Sequence, residues 1–298
     1  TQNRAIFFLY PKYWSDFFDF LLNLPKPNLY GFLSSFNYSI LTSASPLRRN
    51  IDEFKNNCLN DGSQAKILQT VVNDVLNGVE GAESSLISTV EWVSFSLLKD
   101  SDLIALFAQL VSQSCTCSTG LQIFITIFHR PIGQDVLYEL VTQLQLDEII
   151  QQIVTNCEGN TEIIVLCSEL LFSSFSKLVS SEIPSLFDLI SNVTEISMNL
   201  FMFPDKNSTS TNKSLLLCIF NTYPMLIPDY LPKMIEKILS SISLNSEDSY
   251  YITQASLNLF FIAVKTSGVD IVPHLFSLAE GLNPNENISE FATLLASL

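Results

Sequence analysis

The stretch CSTGLQIFITIFHRPIGQDVLYELVTQLQL, residues 117–146, holds the decision on which the fold turns. Its centre, IFITIF at 123–128, alternates and is β-branched, so taken alone it suits a strand. The run is short, however. It lies inside a longer pattern in which apolar residues recur at three- and four-residue spacing, the period of an α-helix. The stretch therefore reads as a helix, a loop HRPIGQD and a second amphipathic helix.

Working outward, the same rhythm covers almost the whole chain. Upstream, Trp14, Phe17, Phe18, Leu21 and Leu22 form an apolar stripe that Ser15–Asp16 can start and that Pro25 and Pro27 stop. A second helix is expected from Leu29 to Leu41 and a third in LRRNIDEFKNNCL after Pro46; DGS at 61–63 breaks the chain, and 64–76 is helical again. Further helices are predicted near 82–98, 102–113, 117–129, 134–144, 146–156, 161–179, 183–203, 213–222, 228–242, 248–266, 270–281 and 287–297. The joints are short and carry Gly, Pro, Asn or Asp. The polar run from Pro204 to Lys213, PDKNSTSTNK, reads as a mobile surface loop.

Composition agrees with helices and excludes several classes of function. Hydrophobic residues make up 47% of the 298, whereas Gly numbers only 9, too few for the turns of a β-sandwich. Charged residues are 15% and the net charge is -15, which repels phosphate backbones on average and favours basic protein partners. A mean hydropathy of +0.30 invites a membrane reading. Yet LLLCIF (215–220) and LNLFFIAV (257–264) fall well short of the roughly 20 apolar residues that a spanning helix needs. The chain starts at Thr1 and runs straight into apolar sequence, so it is expected to be a piece of a longer protein.

Candidate chemistry is sparse. The six cysteines (58, 115, 117, 157, 167 and 218) sit mostly in apolar, helix-like contexts and are expected to be reduced and buried. Cys115 and Cys117 form CxC with no second pair or His spacing to complete a zinc site. His129 and His274 are the only histidines, and neither stands in a nucleophile–base pattern. There is no P-loop. No enzyme activity and no cofactor is expected. Asn37, Asn192, Asn207, Asn212 and Asn287 match the glycosylation sequon, as chance allows in a chain rich in Asn and Ser.

The helices come in pairs of roughly 35 to 50 residues, the range of HEAT and armadillo repeats. The expected architecture is therefore an all-α, HEAT-type α-solenoid: one segment, 1–298, of about seven antiparallel pairs, each hiding its apolar face by stacking on its neighbours.

The aromatic helix YPKYWSDFF, with Pro11, Trp14, Phe17 and Phe18, resembles a signature of nuclear exportins in the karyopherin-β superfamily. Its role there is packing. Further segments are similar to the tRNA-exportin family, exportin-t: Arg48-Arg49-Asn50 in SPLRRNIDEFKNNCL, the Trp92 helix VEWVSFSLLKDSDLIALF, and the Cys117 helix with its loop at Pro131. The order and separations agree over 10–146, an exportin-like region near 1–150, with further HEAT-type repeats expected over 151–298. The Trp92 helix is shifted relative to the family's pattern, and the loop at His129 lacks the family's Gly-Met-Asp run.

The resemblance implies a monomeric nuclear export receptor that binds tRNA together with the small GTPase Ran in its GTP form. It would shuttle between nucleus and cytoplasm on the Phe-Gly repeats of pore proteins. The alternatives are another karyopherin with protein cargo and a HEAT scaffold outside transport. Arg48, Arg49 and Lys55 form the densest basic spot; either they touch tRNA backbone or they are solvated helix residues pairing with Asp52 and Glu53. Arg130 is a weaker candidate of the same kind. Acids at 80–83, 147–148 and 247–248 fall at predicted helix starts, where they suit the helix dipole. On the sharper reading, some of them face the basic residues of a partner.

Overall fold

The computed structural model describes residues 16, 19–35, 62–91, 93, 97, 100–113, 116–157, 159–181, 183, 186–242, 248–270 and 272–281. Among these the regular elements are helical and none is a strand. In chain order they are α1 (Lys26–Ser35), α2 (Gly62–Leu76), α3 (Ala82–Val90), α4 (Ser101–Ser112), α5 (Cys117–His129), α6 (Gln134–Leu144), α7 (Leu146–Asn156), α8 (Thr161–Leu178), α9 (Leu186–Met202), α10 (Lys206–Thr222), a 3-10 turn (Pro224–Leu226), α11 (Ile227–Ile242), α12 (Ser249–Ser267) and α13 (Val272–Gly281). The chain forms two compact units, Thr1–Pro131 and Ile132–Leu298.

In the first unit α3 packs on α1 and α2, α2 on α4, and α5 on α3 and α4. The ambiguous IFITIF lies in α5, where Ile123, Phe124, Ile125, Ile127 and Phe128 are all buried. A helix covered around most of its circumference has no polar face to mark its period, which is why this run imitates a strand. Phe124 meets Phe107 of α4 edge-on at 6.0 Å and stacks with Phe128 at 6.4 Å. The two helices approach closely at Gly120: a Cβ there would lie 2.8 Å from Val111 Cγ2 and 2.9 Å from Val111 N. At the same corner the buried Thr116 hydroxyl donates to Leu110 O at 2.7 Å. Between α1 and α2, Asp74 accepts from Lys26 Nζ at 2.5 Å and also from the Tyr30 hydroxyl. Burial first, then that bond to Asp74, raises the Tyr30 pKa.

In the second unit α6 packs on α7 and α8, α7 on α8 and α9, α8 on α9 and α10, and α9 on α10 and α11. Likewise α10 packs on α12, and α11 on α12 and α13. Side chains start several of the chain's helices. Asp100 accepts from Asp102 N and Leu103 N, Asn160 from Glu162 N and Ile163 N, and Asp205 from Ser208 N. Gly268, at φ 67°, ends α12 in the left-handed region open to glycine.

The expected loop from Pro204 to Lys213 is a correction: from Lys206 onward it is the first half of α10. Its Ser, Thr and Asn residues are poor helix formers, which is why the sequence reads as loop. The structure uses their polarity inside. Ser208, Thr209 and Asn212 are buried on the stripe that continues through Leu215, Leu216, Ile219 and Phe220. Asn212 Nδ2 donates to Ser168 Oγ of α8 at 2.8 Å and to Ser208 O at 2.9 Å, while Asn212 Oδ1 accepts from Ser197 Oγ of α9 at 3.0 Å. The Ser208 hydroxyl donates to Leu200 O of α9 at 3.0 Å and lies 3.0 Å from Ser168 Oγ. Three helices are thus cross-tied by one fully partnered polar cluster.

Other boundaries also move. The helix expected over 29–41 is α1, starting at Lys26 with Pro27 in its first turn, where the missing N–H costs nothing. The one expected over 82–98 ends at Val90. The helices expected in 46–59 and 287–297 lie outside the described residues.

Two mutational outcomes follow. Asn212→Ala orphans the Ser197 hydroxyl and lowers the stability of the second unit by about 1–3 kcal/mol, while exposed Asn207→Ala changes it by no more than about 0.5 kcal/mol. Gly120→Ala overpacks the α4–α5 contact at a cost of about 1–3 kcal/mol; Gly31→Ala, with open space around it in α1, stabilises by about 0.5–1 kcal/mol. Urea denaturation of the four variants measures both contrasts.

Candidate functional site

Leu146 starts α7 directly after Gln145, which is held at φ 48°. The turn therefore sets Asp147 and Glu148 in the first turn of α7, where the helix dipole favours acids. Across from them runs α9. Between the two lies a cleft of about 220 Å³ lined by Asp147, Glu148, Gln151, Asn192, Glu195 and Ile196. Asp147 is buried and accepts from Asn192 Nδ2 at 3.3 Å. Burial first, then the negative charges of Glu195 and Asp229, raises the Tyr230 pKa on α11. Three carboxylates and two amides with one apolar side chain make a surface that accepts hydrogen bonds and attracts cations. It holds no nucleophile with a base beside it.

The sequence-derived candidates fare unequally. Pro11, Trp14, Phe17, Phe18, Arg48, Arg49, Lys55 and Trp92 lie outside the described residues. Arg130 is described and half-buried just after α5. Its Nη1 donates to Val90 O at 2.9 Å and its Nη2 to Val93 O at 2.6 Å, so it closes the carbonyl end of α3. Of the acids expected at helix starts, Glu83 is in the first turn of α3, Asp147 and Glu148 are in that of α7 and Asp248 is at the cap of α12, while Glu80 precedes the Gly81 cap and Glu247 lies outside the described residues.

The four described cysteines are reduced thiols. Cys117 and Cys167 are buried and Cys157 is half-buried, but Cys218 is exposed, because Leu215, Leu216, Ile219 and Phe220 take the inward face of LLLCIF. His129 is the last residue of α5 rather than a loop residue. His274, in α13, meets the Phe260 ring edge-on at 6.4 Å. Among the described residues no group of three His, Cys, Asp or Glu could hold a metal ion, and no helix is long and apolar enough to cross a membrane.

Sequence reasoning missed Lys237 of α11, which is 1% exposed. A signal was available: Lys237 stands three residues after Met234 and four before Ser241, both buried, on the inward stripe of its helix.

Compared with family models, with curated proteins and with solved structures, the chain matches none of them.

Arg130→Gln removes the two charge-assisted bonds to the end of α3 and lowers the stability of the first unit by about 1.5–3 kcal/mol, read from its urea midpoint.

Proposed function

We propose that the chain is a HEAT-type α-solenoid segment of a nuclear export receptor that carries tRNA cooperatively with Ran in its GTP form. What supports the architecture is the order of helix packing in the second unit. There α6, α8, α10 and α12 follow one another as one row of neighbours, and α7, α9, α11 and α13 as another. Stacked two-helix repeats pack in this order. The cargo and the GTPase come from the resemblance of the exportin-like motifs alone.

In this reading the protein works by binding, not by catalysis, and uses no cofactor. The acidic cleft between α7 and α9 receives basic side chains of the GTPase, and Arg48, Arg49 and Lys55 contact tRNA backbone phosphates. Exposed Phe187, its ring 5.9 Å from that of half-buried Tyr223, and exposed Met225 two residues after Tyr223 supply apolar surface for Phe-Gly repeats. Each ligand stabilises the curvature that the other needs, a positive coupling typically about 5- to 150-fold. Hydrolysis of GTP on Ran in the cytoplasm then releases the cargo. A HEAT scaffold that organises only protein partners is the second reading, favoured by the net charge of -15, which repels RNA on average.

Capture of tRNA by the full-length protein, with and without Ran locked in its GTP form, separates the two. Export requires tRNA capture to rise with RanGTP; capture of proteins indifferent to nucleotide state supports the scaffold. Glu148→Lys with Glu195→Lys is expected to cut RanGTP capture. Arg48→Glu with Arg49→Glu is expected to cut tRNA affinity about tenfold at low salt.

A further inference from the structure

Lys237 lies in the core of the second unit with no carboxylate bonded to it. Its amine donates to Phe203 O at 2.9 Å and Met202 O at 3.4 Å, the carbonyl end of α9, and lies 5.7 Å from the Phe201 ring centroid. Phe203 O also accepts from Asp205 N at 2.9 Å, and Asp205 in turn caps α10 through Ser208 N at 2.8 Å. One carbonyl thus joins α11 to the corner where the chain leaves α9 and enters α10.

We propose that Lys237 is a proton-controlled clasp: it ties α11 to the α9–α10 corner, and loss of its proton removes the cost of burying a charge there. The physics has two sides. A helix C-terminus, an aromatic face and the nearby charge of Asp205 all favour an ammonium. Burial opposes it, because a buried charge without a bonded counter-ion loses its hydration. Burial is the larger effect and the field of Asp205 the lesser, so the amine pKa is lowered to about 8. A neutral amine keeps two N–H donors, enough for both carbonyls, and leaves no charge in the core.

The other titratable groups around α11 do not bond to this amine. On the elements packed against it these are Asp188 and Glu195 of α9, Tyr223 before the 3-10 turn, Tyr250, Tyr251 and Lys265 of α12, and His274 of α13; Lys233 and Glu236 flank it on α11 itself. Between about pH 8 and the unfolded lysine value near 10.4, the unfolded state holds the extra proton. Stability therefore rises with pH across that window and is flat in this term below it. Since α9 and α11 are neighbours in one row, the clasp sets their spacing. This holds whether or not the protein carries cargo.

The test is a side-chain NMR titration of the full chain carrying 13C-labelled lysine, with Lys237→Met for assignment. A Lys237 midpoint near 8, well below those of the exposed lysines, is expected; a midpoint near 10.4 overturns the proposal. Urea midpoints of wild type and Lys237→Met from pH 7 to 10 give the second reading. The wild type gains in folding constant relative to the variant by up to about tenfold per pH unit above 8. Parallel profiles overturn the clasp. Where Lys237→Met does not fold, resonance assignment by Lys237→Arg, or the single low midpoint in the wild type, decides.

Discussion

The second unit depends on a buried polar knot. Ser168, Ser197, Ser208 and Asn212 bring hydroxyls and an amide from α8, α9 and α10 into one core, and each finds a partner there. In a medium of low dielectric such groups are costly when unpaired and directional when paired. Apolar side chains alone would let three helices slide past one another with little penalty. The knot does not, because a shift of one turn strands several donors at once. It also accounts for a helix whose first half is Lys-Asn-Ser-Thr-Ser-Thr-Asn: tertiary hydrogen bonds supply what intrinsic propensity withholds.

Smaller ties of the same kind recur. Thr253 Oγ1 donates to Ser241 Oγ at 2.8 Å between α12 and α11, and Ser85 Oγ donates to Tyr30 O at 3.2 Å between α3 and α1. Many buried hydroxyls return to their own helix, as Ser174 does to Leu170 O, Thr194 to Ile190 O and Ser256 to Ile252 O. Among the described residues, no fully enclosed side-chain hydroxyl is left without a partner. This reconciles a charged fraction of only 15% with a large apolar content. Specificity between helices comes from neutral hydrogen bonds, and most charge is left to the helix ends and surface.

Much of the helical layout could be read directly because the apolar stripes are wide and the joints carry turn residues. The helices expected at 117–129, 134–144 and 146–156 match α5, α6 and α7 residue for residue. Two misses share one cause, the expectation that polar residues face outward. That placed PDKNSTSTNK in a loop, because three polar residues facing inward look the same in one dimension as three facing out. It also passed over Lys237, although its register on the inward stripe is that of Met234 and Ser241. Asp147 and Glu148 were legible as helix-start acids, but the cleft was not, since Asn192 and Glu195 lie more than forty residues away on α9. Cys218 shows the converse: an apolar run was read as buried throughout, yet a helix of that width still turns one side chain outward.

The two rows of the second unit are not tied alike, and the difference bears on where a partner can act. In the row α8, α10, α12 the packing is more extensive than between α7, α9 and α11, and α8 and α10 share the buried knot. Lys206 at the start of α10 adds a surface tie, 4.1 Å from the Tyr251 ring centroid on α12. The polar contacts of the other row are Asn192 to Asp147 between α7 and α9, and Lys233 to Asn199 at 3.3 Å with Lys237 to Met202 and Phe203 between α9 and α11. The row with the less extensive packing is the one whose spacing costs least to change. The acidic cleft lies in that second row, and the Lys237 clasp spans its next step. A basic partner seated between α7 and α9 would therefore act within the less extensively packed row.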